Sequence, residues 1–357
     1  MSDRPGDLDG ILRLAEEGLA LTREEIILLL SLPAGEGREA LFRSADAVRR
    51  QEVGDEVFLR GIIEFSNICE RDCLYCGLRR SNRRLPRYRM PLEEILSAAG
   101  RIRDAGIATI VLQSGEDPAF TTEQLCRLVS RIRGEHGLTI TLSLGERPDS
   151  DYRAFRDAGA ERYLLKHETS SPAIFSRMRP GCALEDRLRC LKTLGELGYE
   201  VGTGTIVGLP GQTREALADD LLLMREMDAD MLGIGPLVPH ADTPLAGQPA
   251  GDGETTLSVL AVARLLTRTT NIPATTALTT LDPRFRLRAL GAGANVVMPD
   301  FTPDAYRRHY AIYPGRSDGP SVEDFLLHLR EEIGPIGRTI GGGSGGRKKC
   351  LTETGFR

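Results

Sequence analysis

Residues 57–80 read VFLRGIIEFSNICERDCLYCGLRR. The opening run, VFLRGIIEFS (57–66), is rich in β-branched and aromatic side chains, the composition of a buried strand. It leads straight into a loop that holds Cys69, Cys73 and Cys76. Seven further strand-like runs follow: TIVLQSG (109–115), TITLSLG (139–145), RYLLKHE (162–168), EVGTGTIVG (200–208), MLGIGPLV (231–238), IPATTAL (272–278) and ANVVMPD (294–300). Most are separated by amphipathic helical stretches such as PLEEILSAAGRIRDAG and LEDRLRCLKTLGELG, which often end in glycine. Eight such alternations are the number that closes an α/β chain into a TIM-type (β/α)8 barrel. A doubly wound open sheet is the second architecture they allow. In a barrel, functional side chains gather at the C-terminal strand ends, and the cysteine loop starts at one of them.

The flanks differ in pattern. Residues 1–50 carry apolar positions at three-to-four spacing, which predicts an N-terminal helical extension before a barrel over 51–314. Residues 315–357 hold one helical stretch, SVEDFLLHLREEIG, and then GGGSGGRKKC. That last segment is expected to be a flexible glycine-rich tail, an anion-binding backbone loop being its other reading.

The composition, 41% hydrophobic and 27% charged in 357 residues, is that of an ordinary globular protein. A net charge of −5 gives no electrostatic footprint for nucleic acid. GLRRSNRRLPRYR (77–89) is the local exception and reads first as a solvated loop. No apolar run approaches the ~18 residues of a membrane span, and no signal peptide is visible, so neither a membrane nor a nucleic-acid partner is expected. Seven unevenly spaced cysteines point to a reducing cytoplasm rather than a disulfide framework.

Thiolates at Cys-x3-Cys-x2-Cys spacing suit a metal centre bound from one tight loop. Structural zinc and ordinary four-iron clusters both want four protein ligands. Three leave one iron open to another ligand, unless a remote side chain such as His167 or His240 completes a zinc site. The spacing, with Tyr75 before the last cysteine, resembles the signature of the radical S-adenosylmethionine (SAM) superfamily. The resemblance implies a [4Fe-4S] cluster on Cys69, Cys73 and Cys76 whose open iron binds SAM. It also implies reductive cleavage of SAM to methionine and a 5′-deoxyadenosyl radical.

Other strand ends then become candidate SAM ligands: Tyr75, Gln113, Ser114, Glu116, Ser143, Glu168 and Arg187. Ser114–Pro118 (SGEDP) resembles the superfamily segment that contacts the SAM amino group; a helix N-cap at Asp117 is its plainer reading. Glu168 is a candidate for the ribose hydroxyls or a cap of the following loop. Arg187 offers a guanidinium fork to the SAM carboxylate, or a surface ion pair. GTGTIVGLPGQT resembles the glycine-rich strand on the adenine side.

The segments IIEFSNICERDCLYCGLRRSN, TIVLQSGEDP, RYLLKHET, VGLPGQT, GIGPLVPHADTPLA, NIPATTAL and ANVVMPDFTP, in order from about residue 40 to 315, resemble the HydE family of [FeFe]-hydrogenase maturases. Methylornithine synthase and biotin synthase share the same barrel class, so a radical enzyme acting on an amino acid is the alternative. An iron–sulfur scaffold or carrier is the non-enzymatic one. The HydE resemblance implies an adenosyl radical acting on the sulfur of a cysteine-bound iron–carbonyl–cyanide precursor. It implies as partners a tyrosine-cleaving radical SAM maturase, a maturation GTPase and a low-potential electron donor. Substrate-side candidates are Lys166, Thr275, Thr276, Met298, Tyr310 and Tyr313, for which strand propensity and packing are the plainer readings. No catalytic side chain is assigned beyond the cluster ligands. The family carries arginine where Lys166 stands, and lysine keeps the charge without the planar fork. Some relatives hold an accessory cluster on C-terminal cysteines; here 315–357 contains only Cys350, so no second cluster is expected. Cys126, Cys182 and Cys190 read as packing residues.

Overall fold

Strand-forming runs flanked by amphipathic helices close on themselves in the computed structural model, which describes residues 7–315 and 321–347. The strands are β1 (Glu56–Leu59), β2 (Gly61–Ser66), β3 (Thr109–Ser114), β4 (Thr139–Ser143), β5 (Arg162–Leu164), β6 (Glu200–Thr203), β7 (Ile206–Val207), β8 (Met231–Leu232), β9 (Gly235–Pro236), β10 (Val296–Val297) and β11 (Thr339–Ile340). A parallel sheet runs β2-β3-β4-β5-β6-β8. Single bridges, Met231 to Asn271 and Pro273 to Val296, carry it to β10, which pairs in parallel with β1. A bridge from Ile62 to Asp300 completes the ring. The β2 residues are all buried, as expected of a strand covered on both faces.

Several expected strands are shorter than their sequence runs. The run 57–66 is broken at Arg60, and 200–208 and 231–238 are broken where Gly204 faces Gly233. Gly204 has φ +155, and a Cβ there would lie 2.2 Å from the Gly233 carbonyl oxygen. Backbone meets backbone at that point, and the paired stubs β7 and β9 continue above it. The run 272–278 contributes bridges only. Pro273 has no N–H for a ladder, and Thr275 already precedes a helix, Thr276–Leu281.

The N-terminal helices span Leu8–Glu16, Arg23–Leu30 and Glu36–Glu52. Thr22 and Glu25 form a capping box that starts the second. All three lie against the helix Gly253–Thr267. That explains its apolar sequence LSVLAVARLL, because it is covered by the barrel on one side and by these helices on the other.

The glycine-rich segment is bound, not free, in its described part. β11 pairs in parallel with β1, and the strap that follows crosses the N-terminal end of the barrel. The Ser344 carbonyl accepts from Thr109 Oγ1 and Arg162, and the Gly345 carbonyl accepts from Asn271 Nδ2 at 2.9 Å and Arg60 at 3.3 Å. Arg338 is buried and donates to the carbonyls of Asp55, Glu56, Leu290 and Ala294. These bonds satisfy strand-end groups that would otherwise be buried without partners, so 341–347 of the glycine-rich segment is bonded to the barrel. Cys350 lies outside the described residues.

Candidate functional site

The cysteine loop is held from both ends. The buried Asn67 side chain donates to the carbonyls of Pro86 and His309 and accepts from Tyr88 N–H, all within 2.8 Å. Arg87 donates to four loop carbonyls, those of Asn67, Leu78, Arg79 and Asn82. Leu74 N–H reaches the Met178 carbonyl at 2.9 Å and Gly77 N–H the Ile312 carbonyl at 2.8 Å. A Cβ on Gly115 would lie 2.2 Å from the Ile68 carbonyl oxygen, so glycine at the end of β3 lets the loop close over it.

This folding brings Cys69, Cys73 and Cys76 to the wall of one cavity at the C-terminal strand ends. Burial pushes all three thiols up, Cys73 to about 11, with Arg179 opposing the shift there. Thiolates in such a place call for bound cations, which deprotonate their ligands outright. Among the described residues no three His, Cys, Asp or Glu side chains meet at a point for a single ion. A cluster makes no such demand, because each thiolate binds a different iron. His167 and His240 are not among the cavity's lining residues. The donor set therefore fits a cluster held by three cysteines better than a zinc loop.

The cavity has a volume of about 350 Å³, within the range of a small-cofactor site. Every candidate SAM-side residue lines it: Tyr75, Gln113, Ser114, Glu116, Ser143, Glu168 and Arg187. So does every substrate-side candidate, Lys166, Thr275, Thr276, Met298, Tyr310 and Tyr313.

Beside the cysteines lies a box of charges that was only half visible in the sequence. Arg71 donates to Glu116 at 2.5 Å and lies 3.5 Å from Glu146. Arg187 donates to Glu146 at 2.7 Å, to the Lys166 carbonyl at 3.2 Å, and sits 3.8 Å from Glu116. Arg179 reaches Glu116 and the Tyr75 hydroxyl, each at 3.4 Å. Three guanidinium groups thus face two carboxylates, a surplus of positive charge in a poorly solvated wall. Arg71 sits between the cysteines, Glu146 follows β4, and Arg179 ends the helix Pro172–Met178. Nothing in their spacing separates them from surface ion-pair residues. Asp117 belongs elsewhere: Arg89 grips it at 2.7 and 2.9 Å, Ser66 Oγ donates at 2.6 Å, and it caps Ala119 N–H rather than a helix. The helix that follows, Thr122–His136, is capped by Thr121.

Glu168 adopts φ +67, a conformation uncommon for a residue with a Cβ. Its N–H donates to the Gly204 carbonyl, and its own carbonyl accepts from Ile206 N–H at 3.0 Å and Thr205 Oγ1 at 2.8 Å. Beneath it Asp220 is fully buried and accepts from Ser170 and Gln212, with the Thr205 hydroxyl 2.6 Å away. The strain is thereby held by a hydrogen-bonded base, and the Glu168 carboxylate faces the cavity 3.3 Å from Lys166 Nζ.

Deeper in the barrel, Arg60 lines the cavity floor. Burial, with Arg162 nearby, pulls its guanidinium down to about 9. Its contacts are Met231 Sδ at 2.6 Å and the strap carbonyl of Gly345. Thr275 spends its hydroxyl on the Ile234 carbonyl at 3.1 Å, and Lys166 and Arg60 bring positive charge to the lining.

Comparison with known proteins agrees with this geometry. The family model for the radical SAM superfamily matches residues 63–224. The [FeFe] hydrogenase maturase subunit HydE of Thermotoga maritima is 49% identical over 331 residues, covering 92% of this chain and 95% of that one. The 3-methylornithine synthase of Methanosarcina barkeri is 31% identical over 83% of this chain and 84% of its own. The crystal structure of methylornithine synthase (PylB) superposes with a TM-score of 0.80 at 26% identity, covering 93% of this chain and 97% of that one.

Proposed function

The chain belongs to the radical SAM superfamily and, within it, to the HydE family of [FeFe]-hydrogenase maturases, and on that basis we propose what each part of the cavity does. Cys69, Cys73 and Cys76 hold the [4Fe-4S] cluster, leaving one iron for SAM. When bound, the cluster supplies the electron that cleaves SAM to methionine and a 5′-deoxyadenosyl radical. Glu116 accepts the SAM ammonium, and Arg187, with the surplus charge of its neighbours, pairs with the carboxylate. Glu168 takes the ribose hydroxyls, while Gln113, Ser114, Ser143 and Tyr75 complete the wall. The chain's share of the chemistry is positioning and exclusion of water from a reactive radical.

Lys166 and the floor around Arg60 and Met298 receive the substrate, with Thr275, Thr276, Tyr310 and Tyr313 bordering it. We assign as substrate a cysteine-bound iron–carbonyl–cyanide precursor, attacked at sulfur. The partners are a tyrosine-cleaving radical SAM maturase, a maturation GTPase and a low-potential electron donor, in the cytoplasm. We assign one cluster per chain. The domain plan is an N-terminal helical extension over 1–50, the barrel over 51–314 and a C-terminal segment beyond.

The observation that carries this reading is the convergence of three cysteines and the candidate SAM ligands on one cavity. Its test is anaerobic reconstitution with iron and sulfide, followed by SAM and a reductant. Release of 5′-deoxyadenosine, and an adenosylated product at sulfur when the iron–cysteine complex is supplied, are expected. Methylornithine formed from lysine would establish the amino-acid alternative instead. An intact cluster with no SAM cleavage would leave a scaffold.

A further inference from the structure

The arginine-rich segment after the cysteine loop carries more charge than its bonds to that loop use. It carries six arginines within residues 79–89 of a chain whose net charge is −5. Three of them build the fold. Arg79 pairs with Asp72 at 2.8 Å, Arg89 with Asp117, and Arg87 staples four carbonyls. Those bonds fix the segment as a cover on the outer side of the cysteine loop, where Arg80 N–H donates to the Arg71 carbonyl at 2.8 Å. The other three point outward. Arg80 and Arg83 are exposed, with no side-chain partner among the described residues. Arg84 touches Asp242 at 2.9 Å while its side chain remains 83% exposed. Opposing charge in the neighbourhood includes Asp242, the half-exposed Glu70, and Asp72, which Arg79 and Ser81 already hold.

We propose that Arg80, Arg83 and Arg84 form the docking face for an acidic one-electron carrier protein. The inference rests on the function proposed above, which needs one electron from outside for each SAM cleaved. The carrier gives up that electron, the cluster beyond the loop takes it, and no bond is made or broken at the interface. Such a transfer needs close approach to the cysteines, and Arg80 lies four residues beyond Cys76 on their outer side. Redox encounters are brief and bury little surface, so long-range charge attraction sets their rate more than packing does. A cluster of exposed guanidinium groups, two of them without a side-chain partner among the described residues, supplies that attraction at one place on an otherwise acidic molecule. A nucleic acid would need a wider basic surface than this patch offers.

The test compares cluster-loaded wild type with the triple variant Arg80→Glu, Arg83→Glu, Arg84→Glu, using a flavodoxin of net negative charge as the probe. Binding of the oxidised flavodoxin is measured by calorimetry, and cluster reduction by the reduced form is followed in stopped flow at two salt concentrations. Photoreduced deazaflavin serves as the small-molecule reductant. We expect binding and the bimolecular reduction rate to fall by roughly tenfold or more in the variant, with loss of the wild-type salt dependence. SAM cleavage driven by deazaflavin stays within about twofold, since charge steering acts on the protein carrier's encounter. Equal flavodoxin binding and reduction in the two proteins overturns the proposal, as does a patch that binds single-stranded RNA but leaves flavodoxin reduction unchanged on mutation. Failure of wild type to cleave SAM with deazaflavin counts against the enzymatic reading instead, and the flavodoxin binding arm still judges the patch.

Discussion

Glu116 occupies the space that a side chain at Gly145 would need: a Cβ there would lie 2.0 Å from Glu116 Cγ and 2.6 Å from its Oε1. Gly145 also has φ +75, so the end of β4 is shaped around the carboxylate at the end of β3. Gly145→Ala should cost about 1–3 kcal/mol of stability from backbone strain and displacement together. It should also weaken SAM binding by roughly tenfold, in line with loss of one charge-assisted hydrogen bond. Calorimetric titration of SAM into the reconstituted variant checks this; unchanged affinity would remove Glu116 from the SAM site.

Each of Cys69→Ala, Cys73→Ala and Cys76→Ala should abolish the cluster's visible absorption and the iron retained after desalting. Cys126→Ala and Cys190→Ala should leave both intact. Cys190 is buried among core side chains near Tyr152, and Cys126 packs on the helix Thr122–His136. Iron content per chain, measured alongside the absorption spectrum, separates the two groups.

The left-handed Glu168 depends on Thr205, whose hydroxyl donates to the Glu168 carbonyl at 2.8 Å and lies 2.6 Å from Asp220. Thr205→Val keeps the shape and removes the hydroxyl. We expect a loss of about 1–3 kcal/mol in stability, because the Glu168 carbonyl loses a donor and buried Asp220 loses a polar neighbour. The SAM concentration at half-maximal rate should rise several-fold while the rate at saturation stays close to wild type, the pattern of a binding loss. A fall in the saturated rate alone would place Glu168 outside the SAM contact.

His167 is fully buried, with Nδ1 2.9 Å from Thr203 Oγ1. Burial, helped by Lys166 and Arg187, pulls its pKa from 6.5 down to about 3. Asp220 lies 4.0 Å from Nε2 and does not offset this. The unfolded chain takes up a proton near 6.5 that the folded chain refuses until about 3, so stability from this residue is full above 6.5 and drains as pH falls through that window. Urea unfolding from pH 7 to 4 should show a shallower pH slope in His167→Gln than in wild type. Parallel slopes would mean that His167 protonates in the fold.

Much of the site was readable because its pieces sit at positions the barrel dictates. Gln113 and Ser114 end β3, Ser143 ends β4, and Lys166 and Glu168 follow β5, so naming the strands named the cavity wall. The charge box was not readable, because Arg71, Arg179 and Glu146 come from three separate segments and meet only after folding. An arginine's sequence neighbours do not tell whether its partner is solvent, a surface carboxylate or an active-site one. The strap misled for another reason. Glycine lowers the cost of disorder, but it also lets backbone press against backbone. A Cβ at Gly341 or Gly345 would stand within 2.7 Å of the Phe58 ring, so these glycines serve contact rather than freedom.

The strap across the base gives the barrel a bottom. A vessel stoppered at one end fills and empties through its mouth, and here the mouth is where SAM would lie. On the site assignment proposed above, whatever rests on Arg60 and Lys166 would therefore go in before SAM and come out after its fragments. Turnover would then have a compulsory sequence of arrival and departure, last in and first out, imposed by a few carbonyls on the far side of the molecule from the chemistry.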